Sequence, residues 1–292
     1  MNVKEADSVN IYTLIEDHAG YDTAFYAQHG ICFLLEVVAG KTKKRILFDT
    51  GQSAEPILHN MRILGISPER IDMIFLSHCH YDHTGGLNTI LERIGKPDVP
   101  VIAHPEIFRS NFLLKPFKRQ IGMLGENTKE NIEKNGGKIV LRSEPFQLMD
   151  GVLSTGEIKE RVKFEEEEST EFYTLKKQEI CKDNMPDDMS LIVNLSDGII
   201  VVSGCSHAGI VSIANKAKKL TGNSEIKAII GGFHLINAGE EKINKTINEL
   251  KGMNVQKIFT GHCTGLRAEC AFQRIWRNKF EKLYSGKTTS FK

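Results

Sequence analysis

This chain has almost no charge imbalance: 38 Lys and Arg stand against 37 Asp and Glu, for a formal net charge of +1. Such a balance provides no protein-wide field favouring nucleic acid or an anionic membrane. Long apolar runs are also missing, and none would span a bilayer. The first residues, MNVKEADSVNIYTLIEDH, have no basic segment followed by a long apolar one, so no signal peptide is expected. The six cysteines are Cys32, Cys79, Cys181, Cys205, Cys263 and Cys270, and they lack the close paired spacing of a zinc ribbon. At 292 residues the chain can bury a substantial core without a disulfide framework. A cytoplasmic protein with reduced thiols is the expectation. No internal repeat stands out.

The composition that remains, 40% hydrophobic and 26% charged, is ordinary for a globular protein. Stretches rich in β-branched and apolar residues predict strands over 9–15, 31–38, 45–49, 72–76, 99–103, 191–195, 199–202, 226–230 and 255–259. Residues 39–41 and Ser196-Asp197-Gly198 read as hairpin turns. Amphipathic periodicity predicts helices over 53–64, 87–94, 210–220 and 240–250, with Ser53 as an N-cap and Gly65 and Gly222 as stops. Strand-rich blocks bracketing helices in both halves suit two sheets packed face to face with helices outside.

Residues 105–137 differ, reading as a helical or loop insertion. Arg109, Lys115, Lys118 and Arg119 are interleaved there with Phe108, Phe112 and Phe117. One reading is an amphipathic cover whose cations face a substrate anion; the other is an ordinary surface helix. The acidic run Glu165 to Glu168 reads as a solvated loop.

The densest chemistry lies in MIFLSHCHYDHTGG, where His78, His80, Asp82 and His83 follow an apolar strand. Neutral imidazoles and a carboxylate suit Zn, Fe or Mn. Past the strand end, His78 and His80 can reach one metal while Asp82 and His83 reach another. Gly85 and Gly86 are expected to permit a tight turn into the next helix. Three more histidines each follow an apolar strand: His207 in GIIVVSGCSHAG, His234 in AIIGGFHL and His262 in KIFTGHCTG.

The segment HCHYDHTGG resembles the HxHxDH signature of the metallo-β-lactamase superfamily. Together with SGCSHAGI, GGFHL and GHCTG it is similar to the subgroup typified by archaeal 7,8-dihydropterin-6-methyl-4-(β-D-ribofuranosyl)aminobenzene-5'-phosphate synthase. The likeness runs in order from about Val9 to Gly265. It implies an α/β fold, the four-layer αββα sandwich, in one domain over 1–292 with a C-terminal extension at about 266–292. It implies two divalent metal ions, Zn first and Fe or Mn otherwise. His78, His80 and His207 would hold one, and Asp82, His83 and His262 the other. Asp49, in RILFDTG, would orient a ligating ring.

Two departures stand out. Cys205 occupies the place of the carboxylate that bridges the metals in the superfamily. The His expected before the 191–202 hairpin is missing, leaving Asp187 or Asp188 as a candidate carboxylate or a loop cap. His29 and His104 read as ordinary polar residues.

The resemblance implies a hydrolase acting on a phosphate-containing or other ester small molecule through a metal-bound hydroxide. Asp82 would orient the nucleophile, and His234 would donate a proton or bind substrate. One alternative is a pterin-type condensation releasing pyrophosphate, with aromatic faces to stack the pterin. Another is a non-catalytic ligand-binding or sensor protein on the same scaffold. The expected partner is a small-molecule substrate, with neither membrane nor nucleic acid expected. An exposed edge or the Phe-rich segment could form a homodimer.

Overall fold

A computed structural model describes residues 3–123, 125–166 and 172–292. Its first half runs β1 (Ser8–Ile15), β2 (Cys32–Ala39), β3 (Thr42–Phe48), α1 (Ala54–Ile63), β4 (Met73–Phe75), α2 (Tyr81–Thr84), α3 (Leu87–Ile94), β5 (Val99–Ala103), β6 (Phe112–Leu113), β7 (Arg119–Gln120), α4 (Lys129–Lys134) and β8 (Gly137–Leu141). The second runs β9 (Phe146–Met149), β10 (Val152–Ser154), α5 (Lys163–Glu166), β11 (Phe172–Lys176), β12 (Glu179–Lys182), β13 (Leu191–Leu195), β14 (Gly198–Val202), α6 (Ile210–Thr221), β15 (Ile226–Gly232), α7 (Glu240–Gly252), β16 (Lys257–Gly261), α8 (Leu266–Trp276), β17 (Phe280–Lys282) and β18 (Thr288–Phe291).

Two seven-stranded sheets result, ordered β18-β1-β2-β3-β4-β5-β8 and β17-β16-β15-β14-β13-β10-β9. The period-2 pattern of each strand sorts its side chains into layers. Phe33, Leu35, Ile46, Phe48, Ile200 and Val202 meet in one core between the sheets. Their neighbours Leu34 and Leu47 face outward into a second core with Ile57 and Met61 of α1 and Leu91 of α3. On the far side Ile199, Val201 and Ile258 pack with Ile213 of α6, Ile247 of α7 and Phe272 of α8. Strands covered on both faces read as continuous apolar runs, as these do. The four-layer αββα sandwich is therefore present.

Several local expectations change. Gly85 and Gly86 have ordinary negative φ. They are required by close approach: a β-carbon would collide with the backbone oxygen of Gln52 at Gly85 and of Thr50 at Gly86. The C-terminal extension is not an appendage. β17 pairs in parallel with β16, and β18 pairs antiparallel with β1, so residues after 266 edge both sheets.

Among the described residues of 105–137 the basic, Phe-rich part is not an amphipathic helix, and α4 follows it. A short turn at Pro105–Phe108 leads to β6 and β7, which join β11 and β12 in a small third sheet. Two residues per strand are too few to show a period in sequence. Glu165 is buried rather than solvated, accepting from the backbone N–H of Val211 and Ser212 at 2.9 Å and from Ser212 Oγ at 2.6 Å. It thus caps α6, whose own N-cap is Gly209 and has no side chain to do so. Glu167 and Glu168 lie outside the described residues.

Candidate metal centre

The chemistry-bearing side chains collect at the carboxyl ends of strands. His78 and His80 follow β4, with Asp82 and His83 on the single turn α2. Cys205 and His207 follow β14, His234 follows β15 and His262 follows β16. β14, β15 and β16 run parallel, as do β3 and β4, so their outgoing loops meet at one edge.

Of four candidate ligand groups that form there among the described residues, two are buried throughout. His78, His80 and His207 make one, and Asp82, His83, Cys205 and His262 the other. Within each group the candidate ligand atoms all lie within 4.8 Å of one another, and every member is buried. His78 Nε2 and both ring nitrogens of His207 have no hydrogen-bond partner. Buried polar atoms are normally paired, so these orphaned nitrogens fit a cation between them.

Most of the rings are held from behind, leaving one nitrogen for the centre. Ser77 Oγ meets His78 Nδ1 at 2.8 Å. Asp49 Oδ2 meets His83 Nδ1 at 2.6 Å and accepts from Ser77 Oγ at 2.7 Å. Asp17 Oδ1 meets His262 Nδ1 at 2.8 Å. Asn111 Oδ1 accepts from His80 Nε2 at 3.2 Å. Gly204 leaves room for this arrangement, since a β-carbon there would run into Ser77 Oγ.

Behind Asn111 lies a buried polar chain. Asn111 Nδ2 donates to Asp183 at 2.7 Å, and Arg109 pairs with Asp183 at 2.6 Å and with Asp187 at 2.7 Å. Asp187 in turn accepts from the Cys79 backbone N–H at 2.7 Å. The network closes from the loop of His80 back onto itself.

The electrostatics divide the two groups. Burial pushes His78 and His207 well below the usual imidazole range, and neighbouring rings add to this. Burial likewise lowers His80 to about 4. These rings are neutral, the form that ligates. Burial alone would raise Asp82, yet His83 and His262 hold its carboxyl well below the usual range. Burial alone would lower His83, but Asp82 and Asp49 raise it to about 9. The second group therefore carries negative potential that favours a cation.

The remaining expected site residues are placed as follows. Asp188 belongs to neither group; its Oδ2 accepts from the Ala208 N–H at 2.7 Å. Asp187 and Asp188 thus each fasten a loop, while Asp188 Oδ1 has no hydrogen-bond partner. Arg109, expected to meet substrate, is a correction: its side chain is 7% exposed and engaged by two aspartates. Lys115 and Lys118 are exposed, the latter with Nζ 5.3 Å from the Phe112 ring centroid. Arg119 does line the pocket above the metal groups.

That pocket has a volume of about 260 Å³ and reaches His80, Asp82, Cys205, His207, His234 and His262. Tyr81 and Phe172 supply its aromatic surface, with Leu113, Ile121 and Ile236 nearby. Phe108, Phe112 and Phe117 do not line it; Phe112 is buried and Phe117 is 64% exposed. Four residues at the site escaped sequence reasoning: Asp17, His29, Asn111 and Cys263. His29 Nδ1 lies 3.2 Å from Asp17, and its Nε2 lies 3.4 Å from Asp82. No ligand-like spacing marks them; only a Gly directly after His29 hints at close packing, and Gly30 does sit against the Asp82 backbone.

An αββα sandwich with paired His-rich groups at its strand ends defines a class of candidate metal-centre proteins. The chain belongs to the metallo-β-lactamase superfamily, whose description matches residues 30–176. It is 47% identical to the 7,8-dihydropterin-6-methyl-4-(β-D-ribofuranosyl)-aminobenzene-5'-phosphate synthase of Methanocaldococcus jannaschii, covering 100% of this chain and 99% of that one. An uncharacterized protein of the same organism is 34% identical over 94% of this chain and 97% of its own length. Among solved structures, Tm1679, described as a metal-dependent hydrolase of the β-lactamase superfamily, matches with a TM-score of 0.78 and 27% identity, covering 96% of this chain and 98% of that one.

Proposed function

We propose that the chain is a pterin-type synthase of this superfamily, joining a dihydropterin methyl carbon to an arylamine nitrogen. The carrying observation is its 47% identity, end to end, with the synthase of Methanocaldococcus jannaschii. The product in that enzyme's name contains a pterin-methyl group on an aminobenzene bearing a ribose phosphate. Balanced chemistry needs an activated methyl carbon. A diphosphate ester there supplies it: the C–O bond breaks, the C–N bond forms, and the amine loses one proton as pyrophosphate leaves.

Divalent cations held by His78, His80 and His207, and by Asp82, His83, His262 and Cys205, would act as Lewis acids toward the diphosphate. Zinc fits this nitrogen, oxygen and sulfur donor set, with Fe or Mn as alternatives. Tyr81 and Phe172 offer faces for a flat heteroaromatic ring, and Arg119 offers a cation for a phosphate. His29, with Asp17 at its Nδ1, stands where it can accept the amine proton. Phe172 packs against His80 and His207, with ring centroids 5.0 and 5.1 Å away.

The hydrolase expected from the motif is the weaker reading, because its named relative is only 27% identical. One experiment separates the two. Purified protein is given a 7,8-dihydropterin carrying diphosphate on its 6-methyl carbon, with 4-(β-D-ribofuranosyl)aminobenzene 5'-phosphate. Equal amounts of pyrophosphate and coupled product are expected by mass spectrometry. Pyrophosphate or pterin alcohol released without coupled product would make it a hydrolase. No turnover with either route would remove the pterin reading.

A further inference from the structure

One further cluster lining the pocket shares only Cys205 with the two groups described so far. Cys205, His234 and Cys263 place their candidate ligand atoms within 4.8 Å of one another. They come from three strand ends, after β14, β15 and β16. Both cysteines are buried and unpaired by any disulfide, and all three residues line the pocket.

His234 carries the independent sign of a ligand site. Its Nδ1 is buried with no hydrogen-bond partner. Its backbone holds a φ of 46°, in the left-handed region that residues with a β-carbon seldom adopt. The ring sits 4.2 Å, centroid to centroid, from His207, and its own backbone N–H donates to Cys263 Sγ at 3.3 Å. Outlying backbone at a pocket is maintained only where surrounding structure over-determines it. Here it brings an imidazole nitrogen and two sulfurs together without a carboxylate. That donor set suits a borderline-soft divalent cation rather than Mg²⁺ or Ca²⁺.

We propose that Cys205, His234 and Cys263 form a thiolate-rich cation position, taking Zn²⁺ or Co²⁺, beside the group of Asp82, His83 and His262. The Cys205 sulfur is common to both sets. Both sulfurs would ligate as thiolates. The Asp-to-Cys departure at 205 thereby changes the character of the centre, from a carboxylate bridge to a sulfur shared between neighbouring positions. This assignment is independent of the reaction performed in the pocket.

The test uses metals alone. Protein stripped by a chelator and kept reduced with a phosphine is titrated with Co²⁺, following thiolate-to-cobalt charge transfer in the near ultraviolet. The band at saturation is expected to fall by roughly a third to a half in Cys263→Ser, since the substitution removes one of the two sulfurs and leaves Cys205 bonded. His234→Ala is expected to weaken the Co²⁺ affinity read from this band by at least about 10-fold. Cadmium-113 NMR of the unmutated chain, which needs no variant to fold, is expected to show a resonance in the two-sulfur region. Full band intensity in Cys263→Ser, or cadmium resonances limited to single-sulfur and sulfur-free coordination, would overturn the proposal.

Discussion

At the level of single residues, most ligand rings in this centre have a second partner that selects which nitrogen faces inward. Asn111 is the clearest case. Its Nδ2 is committed to Asp183, so its Oδ1 must face His80 Nε2. That bond leaves Nδ1 of His80 for the centre. Asn111→Ala should weaken metal affinity about 10–100-fold while leaving the fold intact, as competition with a chromophoric chelator can measure. Unchanged affinity would mean that the loop alone orients His80. Arg109 is a harsher test of the same network. Arg109→Met leaves Asp183 and Asp187 buried without their cation, and a loss of about 3–5 kcal/mol in urea unfolding is expected. The motif His78, His80, Asp82 and His83 was legible because its members are adjacent in sequence. Asn111, Asp17 and His29 were not, because each meets its partner across a long stretch of chain.

At the level of elements, strand ends do the positioning and helix ends do the supporting. β4, β14, β15 and β16 each deliver their loops to one edge, and their apolar runs made them readable. α6 starts at Ile210, shortly after His207, and relies on Glu165 to accept from the N–H groups of Val211 and Ser212. Glu165→Ala removes that acceptor while the donors stay buried. A loss of about 1–3 kcal/mol is expected, read from the urea midpoint at unchanged m-value. The acidic run looked like a solvated loop because composition does not say which glutamate turns inward. The C-terminal strands show the same limit. Ser285 Oγ accepts from the Glu16 N–H at 3.0 Å, and Glu16 accepts from the backbone N–H of His262. Deleting residues 280–292 strips the edge strand from both large sheets and this support from His262. Loss of the cooperative thermal transition is expected by circular dichroism, and a retained sharp transition would mean that the edges are dispensable.

For the whole molecule, a cation held by these groups would couple the sandwich to its centre. The groups draw on loops from both large sheets, so a bound cation links the two halves. Anything that binds only the native state raises its apparent stability by mass action. Chelation should therefore lower the melting temperature, and Zn²⁺ should restore it; an unchanged melting curve would argue against a linking metal. Among the described residues no helix is long and apolar enough to cross a membrane.

By itself the sequence determined nine strands of the two large sheets, four outer helices, the packing of two sheets face to face and the His78–His83 motif. All of these follow from local periodicity or adjacent spacing. Tertiary structure alone decided that β18 closes onto β1, that Arg109 serves aspartates rather than substrate, and that Cys263 joins Cys205 and His234. Those outcomes depend on which distant strand ends share an edge. Side-chain pattern within one segment carries no record of that choice, because it is made by the packing of two sheets against each other.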